Sequence, residues 1–276
     1  MIKKYIIIIS VVMSAWCNQG GVFVSFKPIA SIVMYLLDGS DIHVYSMSHD
    51  HTSHHHVQLS HHDIERIQKS CLFISLGSLY ESFSLKKIRI PCHVVIEDIK
   101  GLRLLKKRDQ GQGYDGHFFL SIYNIKIIAK FLSSQCQKIY PHHQKLIEKN
   151  CESFCKNIEV LKTQSFQKIS KCSKKEYAIS HDFLQYIDDE MGTKGTLFLF
   201  KGCSHHLSPR AMKRFKDEKF DSIIVDEEMP KLKTFAHTVL INYTGRGYLL
   251  SKNLFFDIYR HIIDQTVFLF NNVFGN

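Results

Sequence analysis

Short apolar, β-rich runs alternate with segments of helical periodicity along most of this chain, and that alternation confines it to folds built around parallel sheets. Val22–Phe26, Ile42–Met47, Cys71–Leu76 and Cys92–Ile96 read as strands, with helical patterns over Ile29–Leu37 and His61–Ser70 between them. Pro28 ends the first strand and Gly77 closes the third. A second series follows: strands at Tyr177–Ser180, Thr196–Lys201, Asp221–Val225 and Thr238–Asn242, and helices at His181–Met191, Pro209–Lys219 and Leu254–Thr266. The expected class is α/β, with mainly parallel sheets built from βαβ units and flanked by helices.

One long helical segment separates the two series. From Pro141, a favourable first-turn residue, Ile147, Cys151, Phe154, Cys155, Ile158 and Leu161 recur at helical spacing. A helix running to about Phe166 is roughly 40 Å long at 1.5 Å per residue, enough to join two lobes. Residues 1–20, ahead of the first strand, form an expected leader. Tyr123–Gln137 is a further helix, and Lys106–Gly116, with its two lysines, one arginine and three glycines, reads as a flexible loop. No internal sequence repeat is visible.

The leader is read from its order of chemistry. Lys3 and Lys4 precede the apolar run Tyr5–Met13, which ends near Ser14, Ala15 and Cys17. That is the pattern of a secretory signal peptide, and the run is shorter than the roughly 20 residues of a spanning helix. Trp16 before Cys17 argues against lipid attachment there, so a soluble, exported mature chain beginning near Asn18 or Gly21 is expected, with no stable membrane insertion. The formal charge of +10 is spread along the chain and accompanies no nucleic-acid motif, so nucleic acid is not an expected partner. The eight cysteines lack the density and spacing of a disulfide scaffold, and Cys151 and Cys155 are read as core thiols.

Histidine is the compositional anomaly, at 17 residues. Eight fall between His43 and His62, most densely in His49-Asp50-His51-Thr52-Ser53-His54-His55-His56, between a strand and a helix. Neutral imidazole is the commonest metal ligand, and ligands of α/β folds lie at such strand-to-helix junctions. Two more histidines take comparable places: His117, in Asp115-Gly116-His117-Phe118-Phe119-Leu120 before a helix, and His181, in Ile179-Ser180-His181-Asp182-Phe183 after a strand.

These residues, in this order, resemble the zinc-binding solute-binding proteins of bacterial ABC importers, within the wider zinc, manganese and iron group. The resemblance runs through the mature chain. It comprises Phe26-Lys27-Pro28, His55 eight residues before Asp63, and Asp63-Ile64-Glu65-Arg66-Ile67-Gln68 leading to Cys71–Leu76, Gly77 and Glu81. Asp115-Gly116-His117-Phe118-Phe119-Leu120 is similar to the family's Asp-Pro-His-x-Trp-Leu. His181-Asp182-Phe183 with Tyr186 and Gly192 is similar to its His-Asp-Ala-Phe/Tyr segment, and Ser208-Pro209 and Ile223–Glu227 match later landmarks.

The resemblance implies a periplasmic zinc-binding component that captures Zn2+ as transported ligand in a cleft and hands it to an ABC permease, as a monomer and not as an enzyme. It implies two α/β lobes, each a mainly parallel sheet flanked by helices, joined by one long helix: 1–20 a signal peptide, 21–140 an N-terminal lobe supplying His55 and His117, 141–168 the connecting helix and 169–276 a C-terminal lobe supplying His181. The family's C-terminal aspartate aligns with Asn242, a weaker ligand, which leaves the fourth position to water, His54 or Asn242. The usual acidic and histidine-rich loop is replaced by the short basic Lys106–Gly116. Histidine at the third position favours zinc over manganese, which prefers carboxylate and carbonyl oxygen. Rival readings are an exported zinc-buffering or adhesin-like protein and a zinc hydrolase. The latter lacks His-Glu-x-x-His or another hydrolytic signature.

Overall fold

The computed structural model describes residues 20–47, 59–81, 88, 90, 92–108, 112–172, 176–198, 209, 213, 217, 222–226, 237–245 and 247–272. The leader, the histidine-rich segment 48–58 and most of the helix expected over Pro209–Lys219 lie outside the described residues. Two compact units emerge, one comprising Met1–Gly101, Lys126–Lys156 and Arg246–Phe255, the other Leu102–Ile125, Asn157–Gly245 and Phe256–Asn276.

In the first unit, β1 (Val22–Val24), β2 (Val44–Ser46), β3 (Leu72–Ser75) and β4 (His93–Val95) form a parallel sheet of order β2-β1-β3-β4. Val22 pairs with both Val44 and Leu72, and Phe73 pairs with His93. Helix α1 (Lys27–Leu36) starts with Pro28 in its first turn, where the missing N–H costs no hydrogen bond, and it is buried almost all round. Helix α2 (His61–Lys69) begins with a reciprocal cap: Asp63 N donates to Ser60 Oγ and Ser60 N to Asp63 Oδ2, each at 3.1 Å. Phe23, Met47, Ile67 and Phe73 pack together in this unit's core.

The crevice at the carboxyl ends of β1 and β3 is occupied by a buried acid. Ser25 Oγ and the amides of Leu76 and Gly77 all donate to Glu81. Burial pushes the Glu81 carboxyl up to about 7, against the pull of those hydrogen bonds. The turn before it requires glycine: Gly77 has φ +113°, and a side chain there would collide with the Glu97 carboxyl that receives the Ser78 and Leu79 amides.

The second unit repeats this order with different residues. Strands β5 (Glu176–Ile179), β6 (Lys194–Phe198), β7 (Ser222–Asp226) and β8 (His237–Ile241) form a parallel sheet of order β6-β5-β7-β8. Between these units' sheets in sequence run α3 (Ile122–Ile139), a short 3-10 turn at Pro141–His143, and the long α4 (Gln144–Ser170). The predicted long helix is thus present. Its buried stripe Ile147, Cys151, Phe154, Ile158, Leu161, Ser165 and Ile169 keeps the helical period throughout, and residues up to Lys156 group with the first unit and those from Asn157 with the second. Cys71, Cys92, Cys136, Cys151, Cys155 and Cys172 take part in no disulfide bond.

Helix α5 (Gln185–Met191) starts four residues later than the sequence suggests, so His181 lies in the turn after β5 instead of on a helix. Gly192, at φ +71°, ends it in the left-handed conformation. The final helix, α6 (Leu254–Asn272), places Phe270 against Tyr177, ring centroids 6.0 Å apart. Among the described residues no helix is long and apolar enough to cross a membrane.

The segment read as a flexible basic loop, Lys106–Gly116, is pinned in its described parts, and so are the residues on either side of it. Arg103 pairs with Asp189, the Leu105 amide donates to Tyr186 Oη at 3.0 Å, Gln185 Nε2 donates to the Lys106 carbonyl at 2.7 Å, and Arg108 binds Asp182 and Asp188. Ser121 Oγ and the Ile122 amide donate to Glu190. These contacts to α5 and the turn before it group Leu102–Ile125 with the second unit, so His117 shares a unit with His181, where the resemblance implied opposite lobes.

Candidate metal centre

His181 owes its position to the sheet. It follows β5 by two residues, and the Ser180 amide donates to the Ile224 carbonyl of β7 at 2.8 Å. The order β6-β5-β7-β8 reverses direction between β5 and β7, so His181 stands at the carboxyl edge of the switch point, where open parallel sheets bind ligands. The Phe183 amide closes back on the His181 carbonyl at 2.9 Å, which holds the turn.

His117 is positioned by Asp115. The Asp115 amide donates to the Leu105 carbonyl at 2.8 Å and its carbonyl accepts from Tyr186 Oη at 2.9 Å, fixing the backbone. One carboxylate oxygen, Oδ1, then accepts from the His117 amide at 3.0 Å and lies 2.7 Å from His117 Nδ1. A carboxylate only accepts, so Nδ1 carries the proton and Nε2 keeps its lone pair for a metal. The aspartate at the first position of Asp-x-His therefore sets the tautomer of the histidine at the third.

The two imidazoles are buried with ring centroids 5.5 Å apart. Aromatic rings surround them. Phe183 lies 5.1 Å from His181, Phe119 lies 6.1 Å from His117, and Tyr243 lies 5.5 Å from His117 and 6.5 Å from His181. Tyr243 stacks on Phe183 at 4.7 Å and on Phe119 at 6.3 Å. Two buried imidazole donors in an aromatic setting suit a late divalent metal such as zinc, which takes imidazole readily.

The neighbouring carboxylates are committed elsewhere. Arg108 Nε donates to Asp182 Oδ2 at 2.8 Å and Nη2 bonds both Asp182 Oδ1 and Asp188 Oδ2. Burial raises the Asp182 pKa and the Arg108 hydrogen bonds oppose that rise. Asp188 also accepts from Tyr177 Oη, Thr193 Oγ1 and the Gly195 amide. Among the described residues no group of three or more histidine, cysteine, aspartate or glutamate side chains converges on one point.

Of the sequence-derived site residues, the structure brings His117 and His181 together, while His54 and His55 lie outside the described residues. His61 and His62 are exposed at the start of α2, with His61 Nε2 3.4 Å from Glu65. Asn242 is buried, but its Oδ1 accepts from Thr244 Oγ1 at 3.1 Å and the Gly245 amide at 3.0 Å. Sequence reasoning missed Arg108 and Tyr243. The run Asn242-Tyr243-Thr244-Gly245 is a turn signal that shows Asn242's engagement in advance.

Residues 22–227 match the family model described as ZnuA, zinc-uptake complex component A, periplasmic. The chain belongs to this family. It is 23% identical over 225 residues to the high-affinity zinc uptake system protein ZnuA of Brucella abortus, a stretch covering 64% of this chain and 66% of that relative. Its fold is similar to that of the manganese-bound solute-binding protein FpvC of Pseudomonas aeruginosa, with TM-score 0.75, 17% identity and coverage of 92% and 99% of the two chains. A zinc-bound mutant variant of AdcAII from Streptococcus pneumoniae is similar at TM-score 0.72 and 16% identity, covering 90% and 99%. Both likenesses concern the fold: the ZnuA-family chain has the α/β architecture of metal-binding solute-binding proteins.

Proposed function

We propose that this ZnuA-family chain is the periplasmic zinc-capturing component of an ABC importer, binding Zn2+ with His117 and His181, completed by His55 and with His54 at hand, and delivering it as a monomer to the permease. The observation that carries the reading is the buried pair of imidazoles 5.5 Å apart, one with its Nδ1 committed to Asp115. Imidazole nitrogen favours zinc over manganese, and Arg108's hold on Asp182 keeps the carboxylate next to His181 occupied. The leader-like residues 1–20 and the family's periplasmic description support export. Membership of a zinc-uptake family supports capture over hydrolysis or surface adhesion.

Metal analysis of untagged protein, followed by ATPase assays of the cognate permease in vesicles, tests the proposal. One tightly held zinc per chain and ATPase stimulation that depends on the zinc-loaded protein are expected. Tight binding without stimulation points to a buffering protein, and preferential retention of manganese overturns the metal assignment.

A further inference from the structure

The expected oxygen ligand, Asn242, is poorly placed for that role. Its amide oxygen has two acceptor positions, and Thr244 Oγ1 and the Gly245 amide take both. The N–H of Gly245 requires an acceptor, so the oxygen must face the turn and the NH2 group lies on the other side. An NH2 group does not ligate a metal.

The next residue behaves differently. Tyr243 follows β8 by two positions, is 1% exposed, and its ring is clamped by stacking on Phe183 and Phe119. That clamp sets the hydroxyl 3.5 Å from Nε2 of His117, the nitrogen left with a lone pair once Nδ1 has bonded Asp115. The separation is long for an O–H···N hydrogen bond. It suits two donor atoms on one ion: with zinc bonds of about 2.0–2.1 Å at the tetrahedral angle, neighbouring ligand atoms lie about 3.3 Å apart.

We infer that Tyr243 Oη, and not Asn242, is the oxygen donor of the metal site. The inference rests on the zinc-binding reading above. As the Zn–O bond forms, the phenol proton passes to solvent. The ring stacking keeps the oxygen in place before the ion arrives, so little ordering is needed on binding.

Tyr243→Phe removes the oxygen and keeps the ring, and Asn242→Asp keeps an acceptor for the Thr244 and Gly245 donors while offering a stronger ligand. Zinc affinity by chelator competition and the visible absorption of the Co2+-loaded protein are measured for both, with His117→Ala beside them. Tyr243→Phe is expected to lose about tenfold or more in zinc affinity and to change the Co2+ spectrum. Asn242→Asp is expected to leave that spectrum as in the wild type. Unchanged affinity in Tyr243→Phe, or a Co2+ spectrum altered by Asn242→Asp and not by Tyr243→Phe, overturns the inference. Loss of binding in His117→Ala with no effect in Tyr243→Phe sinks this inference alone, and wild-type binding in His117→Ala sinks the site itself.

Discussion

Arg108 grips both carboxylate oxygens of Asp182, the residue that follows His181, and reaches Asp188 with the same guanidinium. A bidentate pair of this kind fixes a backbone as well as two charges. Here it ties the segment carrying His117 to the turn carrying His181. The side chains of Asp182 and Asp188 are 7% and 2% exposed, so removal of the arginine strands two buried carboxylates.

Arg108→Met is therefore expected to destabilise the protein by about 3 kcal/mol, the low end for a broken buried pair because Arg108 itself is 28% exposed. Urea denaturation measures this. Asp182→Asn in the Arg108→Met background is expected to recover part of the loss, since it removes one of the stranded charges. A double variant no more stable than the single one contradicts the account.

Glu81 gives the first unit a pH dependence of definite sign. Its folded pKa of about 7 stands above the ordinary 4.5, so the folded state holds a proton that the unfolded state releases. Stability is fully present below about pH 4.5 and falls as pH rises through 7, by on the order of 3 kcal/mol in total from this group. Glu81→Gln keeps an acceptor for the Leu76 and Gly77 amides and carries no charge. Its advantage over the wild type in denaturant midpoint is expected to be larger at pH 8 than at pH 5. An equal advantage at both assigns no titration to Glu81.

Asp115 acts on metal through His117. Asp115→Ala removes the acceptor that orients the imidazole and is expected to cost about 10- to 100-fold in zinc affinity. Asp115→Asn retains a carbonyl oxygen for Nδ1 and for the His117 amide, and so is expected to lose less. Chelator competition on the two variants checks the order, and equal losses would assign the effect to charge alone.

What was legible in the sequence followed from local signals. Val22–Val24, Leu72–Ser75 and His237–Ile241 stood out as apolar runs between breakers, and α4 as a sustained helical stripe. His181 could be placed at a strand end because β5 is such a run. The fate of Lys106–Gly116 could not be read, because Arg108's partners lie 74 and 80 residues away and a basic, glycine-rich stretch gives no sign of them. The matching orders of the two sheets were equally hidden, since strand order is set by long-range packing that different residues can satisfy. Nothing local in the sequence singles out Tyr243, and only the stacked rings of Phe183 and Phe119 reveal where its hydroxyl points.

The most direct test of the central claim is a zinc titration, in competition with a chromophoric chelator, of the wild type, His117→Ala, His181→Ala and the double variant His49→Ala/His51→Ala. The account predicts one tight site in the wild type, its loss in either single variant with the fold intact by circular dichroism, and its retention in the double variant, which loses only weak binding. Equal losses across all three variants, or a tight site that survives without His117 or His181, would contradict it.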